Sequence, residues 1–96
     1  MEKKKKRIAV LVRDKKRDRK YEALRMAVGL TLADDEVNVF IMDDKLEIDE
    51  AIAQNFEMLS DLECKIFTNN PENKYEQMTT EEIAHAIPGY DVVMPY

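Results

Sequence analysis

"IAVLVRDKKRDRKYEALRMAVGLTLADDEVNVFIM", residues Ile8–Met42, decides the fold. Its first five residues, Ile8–Val12, are an unbroken apolar run of strand length, the mark of a strand buried on both faces. From Lys20 to Ala33 the apolar period lengthens: Tyr21, Leu24, Val28 and Leu32 share one stripe, with Ala27 and Thr31 beside it, as on an amphipathic helix. Val37–Met42, "VNVFIM", returns to β-formers. A strand, a helix and a second strand in succession describe a parallel crossover unit.

The same alternation continues along the chain. Ile48, Ile52, Phe56 and Leu59 predict a second helix over Leu46–Asp61, and Lys65–Thr68, "KIFT", a short third strand. "NNPEN" after it reads as loop, because Asn and Pro favour turns. Thr79 stands three residues before Glu82, a capping-box spacing that opens a helix ended by Pro88 and Gly89. Asp91–Met94, "DVVM", is a fourth strand. The order βαβαβαβ predicts an α/β fold: a mainly parallel four-stranded sheet with helices on both faces, joined by right-handed crossovers. Residues 8–96 make one domain, preceded by a basic lead-in over residues 1–7.

Charge is distributed unevenly. The net charge is −5, but residues 1–20 carry eleven Lys and Arg against three acids, while residues 21–96 carry four against seventeen. An acidic body of this kind repels phosphate, so nucleic acid is not an expected partner. The basic lead-in is read as solvated chain, with an anion or nucleic-acid module over residues 3–20 as an alternative. Apolar runs fall far short of the ~20 residues a membrane span requires. The lysine-rich start is followed by no apolar segment or cleavage site of a signal peptide. With a lone cysteine, Cys64, a cytoplasmic protein is expected.

In a parallel sheet, ligands sit outside the carboxyl ends of the strands. Three loops therefore frame the candidate site: Arg13–Arg19, Met42–Lys45 and Thr68–Lys74. Nucleotide-binding loops need glycine for close approach to phosphate, and the two glycines, Gly29 and Gly89, lie elsewhere. What remains is a looser anion site of Arg13, Lys16 and Arg17 side chains. Asp43 and Asp44 superficially resemble the ribose-binding acid of dinucleotide folds and the magnesium-binding pair of receiver domains. The dinucleotide reading fails for want of glycines, and the receiver reading because the pair follows the second strand. They are read as turn residues near the second helix. Thr68, Asn69 and Asn70 complete the ligand-binding candidates. No metal site and no cofactor are expected: His85 lies opposite the Ile83 face of its helix, with no sequence-near Cys or second His. Cys64, at the amino end of the third strand, is read as a buried or inert thiol.

"KRIAVLVRD", "YEALRMAVGLTLADDEVNVFIMDD", "NFEMLSDLECKIFTNN" and "PGYDVVMPY" together resemble the DsrE/DsrF-like family of sulfur-relay and related small α/β proteins, over Lys6 to Tyr96. The resemblance implies a three-layer α/β/α domain that assembles into trimers or hexamers. In some members it also implies a persulfide-carrying cysteine at the carboxyl end of the third strand. Thr68 or Asn69 stands at that position here, and Cys64 falls about four residues earlier. The expected function is thus an oligomeric structural, binding or accessory protein of sulfur-related or redox metabolism, without enzyme activity of its own. A sulfurtransferase using Cys64 is the alternative. Homo-oligomerisation also has a physical basis, since three helices cannot cover both faces of a sheet equally.

Overall fold

The computed structural model describes residues 6–96. Elements run β1 (Arg7–Val12), α1 (Arg17–Leu32), β2 (Glu36–Ile41), α2 (Glu50–Asp61), β3 (Lys65–Thr68), β4 (Glu76–Gln77), α3 (Thr80–Ala86), a 3-10 turn (Ile87–Gly89) and β5 (Val92–Pro95). All strand pairs are parallel, in the order β4-β3-β2-β1-β5. The fold is α/β, as expected, but the sheet has five strands, not four. The fifth is β4, two residues inside a stretch that carries no β-like pattern, held by pairing with Phe67 and Thr68 rather than by any propensity of its own.

Strand alternation sorts the core into two faces. Ile8, Val10 and Val12 of β1 join Val37, Val39 and Ile41 of β2 against Ala23, Leu24, Ala27 and Val28 of α1 and Ile52, Phe56 and Leu59 of α2. Ala9, Phe40 and Met42 turn to the other face, where Ile83 of α3 packs with half-buried Leu11, Phe67, Met78, Ile87 and Tyr90. The first face is sealed by two helices. A single seven-residue helix serves the second.

Several boundaries move. α1 begins at Arg17, so the first loop is Arg13–Lys16 and not Arg13–Arg19. Its buried stripe is Ala23, Leu24, Ala27 and Val28; Leu32, expected inside, is 65% exposed on the last turn. α2 begins at Glu50, four residues later than expected, because Asp49 takes extended geometry and its carboxylate accepts the Ile52 N–H as an N-cap. Ile48 lies outside the helix and is 52% exposed. At Thr79 the capping box forms: the Thr79 hydroxyl accepts the Glu82 N–H, and the Glu82 carboxylate accepts the Thr79 N–H. Hydrogen bonding from Thr79, its N–H first and its side chain second, holds the Glu82 carboxyl below its ordinary value.

β5 ends at an open edge of the sheet, but not an unguarded one. Tyr96 N–H donates to Leu11 O and Tyr96 O accepts the Arg13 N–H, so the main chain of Tyr96 faces β1. Pro95, one residue earlier, faces away, and its ring leaves no N–H to template another strand.

Candidate functional site

The carboxyl ends of β1, β2 and β3 bring all three expected loops to one edge, where they are knitted by side-chain amides. Asp43, at the end of β2, has a left-handed φ of 76°. Its N–H donates to Asn69 Oδ1 at 2.7 Å, and Asn69 Nδ2 donates to Asp43 Oδ1 at 3.3 Å and to Thr80 Oγ1 at 2.9 Å. Asn70 Nδ2 donates to Asp43 O at 3.0 Å. From the opposite side Arg13 Nε meets Asp43 Oδ2 at 3.2 Å. A continuous chain thus runs from β1 through Asp43 and Asn69 to the start of α3.

A second, deeper knot lies beside it. Thr68 is fully buried, and its hydroxyl accepts from Asn73 Nδ2 at 3.0 Å and from the Asn70 N–H at 3.2 Å. Buried Asn73 also donates to Asp44 O and accepts the Leu46 N–H at 2.8 Å. Gln77 of β4 donates to the carbonyls of Asn70 and Asn73. Together these bonds satisfy main-chain groups that a loop of this length would otherwise bury unpaired.

The expected anion-binding trio is dispersed. Arg13 is taken by Asp43, and Arg17 by Asp49 at 2.6 Å and Asp18 at 3.3 Å. The Arg17 guanidinium also lies 5.1 Å from the Tyr21 ring centroid. Asp49 raises the Arg17 pKa, and Arg17 in turn, with the Ile52 N–H, lowers that of Asp49. Lys16 precedes α1 without capping it by side chain, its N–H donating to Asp14 Oδ1. Asp44 borders an open cleft of about 460 Å³ with Lys15, Arg17, Lys20, Lys45, Glu47, Ile48 and Asp49. Lys3–Lys5, part of the basic alternative, lie outside the described residues.

Cys64 sits at the opposite, amino edge. Its Sγ donates to Val37 O at 2.9 Å, and burial pushes the thiol pKa up to about 11. The neutral thiol is therefore the form this environment favours. His85 is exposed, 3.9 Å from Glu81 on the same helix. Among the described residues no three His, Cys, Asp or Glu side chains gather as a metal site, and no helix is long and apolar enough to cross a membrane.

Asn73, Gln77 and Thr80 were not among the expected site residues. "NNPEN" signals a turn, but turn chemistry in a sequence does not tell which asparagine will be buried. No family model and no curated protein matches the chain.

Proposed function

We propose that this chain is a DsrE/DsrF-like protein of three-layer α/β/α build that works as a cytoplasmic homo-oligomer. Its role is structural, binding or accessory, in sulfur-related or redox metabolism, and it does not act through a sulfur-carrying cysteine. The observation that carries this reading is the end of β3. Thr68 and Asn69 stand where the resemblance calls for the persulfide cysteine, and both are already committed to hydrogen bonds. The sole thiol lies at the other edge, half-buried and hydrogen-bonded, with its thiolate form disfavoured.

Oligomerisation draws support from the second face of the sheet. Leu11 and Phe67 remain half-exposed there, and Val93, paired in register with Ala9, is 37% exposed. Inner strands of a parallel sheet are ordinarily covered on both sides, so this face gains from a symmetric partner.

Mass spectrometry of the native protein after treatment with inorganic polysulfide at neutral pH tests the thiol half. The expected result is no added sulfur on the native chain and ready addition once it is unfolded. A persulfide on native protein that vanishes in Cys64→Ser would move the assignment to the sulfurtransferase alternative. Light scattering over a dilution series tests the assembly, and a mass near 11.2 kDa at every concentration overturns it.

A further inference from the structure

The open cleft between the start of α1 and the β2–α2 loop brings together cations that the fold does not use. Lys15 and Lys20 approach it from the β1–α1 side, Lys45 from the β2–α2 loop, around a volume of about 460 Å³. Among the described residues none of these three lysines has an ion-pair partner, whereas the cleft's arginine, Arg17, is bound to Asp49 and Asp18. Lys45 is one of only four Lys or Arg in residues 21–96, so its placement here runs against the acidic character of the body. Ile48, 52% exposed, forms an apolar wall shared with a neighbouring 340 Å³ cleft that Tyr75 also lines. The position, outside the carboxyl ends of β1 and β2, is where parallel sheets hold their ligands.

We propose that this cleft binds a small polyanion of the pyrophosphate type. Three lysines bordering one cleft match a ligand with several charged oxygens, each lysine acting as a mobile point charge. Asp49 adds little repulsion, since its carboxylate is neutralised by Arg17 and caps α2. Asp44 and Glu47 do repel an anion, and they set the selectivity. A single negative charge gains little against two carboxylates, while a compact polyanion engages all three lysines at once. Attraction at so exposed a site also weakens as salt screens it.

Isothermal titration calorimetry of the full chain with inorganic pyrophosphate, with inorganic phosphate as a second arm, decides the matter. The expected result is saturable one-to-one binding of pyrophosphate, at least about tenfold tighter than phosphate and weakened by added salt. The K15Q/K45Q double variant should lose at least tenfold in affinity with an unchanged circular dichroism spectrum, and D44N/E47Q should bind more tightly. Absence of saturable binding to the wild type overturns the proposal. So does an affinity that K15Q/K45Q leaves unchanged.

Discussion

Asn69 grips Asp43 at two points, its Oδ1 accepting the Asp43 N–H and its Nδ2 reaching the Asp43 carboxylate. The same amide nitrogen touches Thr80, so one side chain joins the ends of β2 and β3 to the first residue of α3. Asn69→Ala releases the left-handed Asp43 and unties α3. A loss of about 1–2 kcal/mol follows, read as a lowered denaturation midpoint with unchanged slope. Asn69→Asp, which sets a second carboxylate against Asp43, should be less stable than Asn69→Ala at pH 7; equal stability of the two variants would contradict the geometry.

Asn73 does more in less space. Truncation to Ala leaves the Leu46 N–H, the Thr68 hydroxyl and the Asp44 carbonyl without this partner in a buried setting. The expected cost is about 2–4 kcal/mol, a fall in Tm on the order of 10 °C or more for a chain of this size. Thermal melts of Asn73→Ala and Asn73→Asp check it, and a shift below 3 °C in the alanine variant would show that the loop relaxes around the gap.

The Arg17–Asp49 pair predicts an acid-sensitive stability. The Asp49 carboxyl is held below its ordinary value, chiefly by Arg17 and then by the Ile52 N–H. A depressed folded-state pKa stabilises the protein above the unfolded value near 4, and that stabilisation disappears as pH falls through the folded value. Urea titrations from pH 6 down to pH 2.5 should therefore show a steeper loss for the wild type than for Asp49→Asn. Parallel curves would remove this pair from the acid response.

For Cys64 the raised pKa fixes the direction of a labelling experiment. At pH 7 roughly one thiol in ten thousand is ionised at a pKa of about 11, so alkylation of the native protein should be slower than that of the urea-unfolded chain by about a hundredfold. The native rate should climb with pH through 9 and 10. A native rate at pH 7 matching the unfolded chain would mean that the Val37 contact and the surrounding burial do not protect the sulfur.

Much of the fold was legible because burial writes itself into periodicity. Ile8–Val12 reads as a doubly buried strand, Val37–Met42 as a strand rich in β-formers, and the Thr79–Glu82 spacing as a capping box that forms. Where the reading slipped, the deciding contact was remote in sequence or local in a way periodicity ignores. Ile48 continues the four-residue spacing of Ile52 and Phe56, yet Asp49 stops the helix by capping it. β4 exists only because Phe67 and Thr68 offer it a ladder, and "EQ" carries no strand signal. At the candidate edge the three loops follow the strands they were expected to follow, though the first stops at Lys16 and the second runs on to Asp49; the pairing of Arg13 with Asp43 and of Arg17 with Asp49 joins residues thirty or more apart, which a charge pattern does not reveal.

The adjacency of β1 and β5 has a mechanical side. Both strands point the same way; Lys6 leads into β1 at the amino edge and Tyr96 leaves β5 at the carboxyl edge. Tension applied between Lys6 and Tyr96 therefore pulls the two strands in opposite directions along their own axes. The hydrogen bonds between them are loaded in shear and must rupture together, rather than peel apart one at a time from an end. Held at these two points, the molecule resists stretching through the β1–β5 ladder, before either helix of the sealed face feels the load.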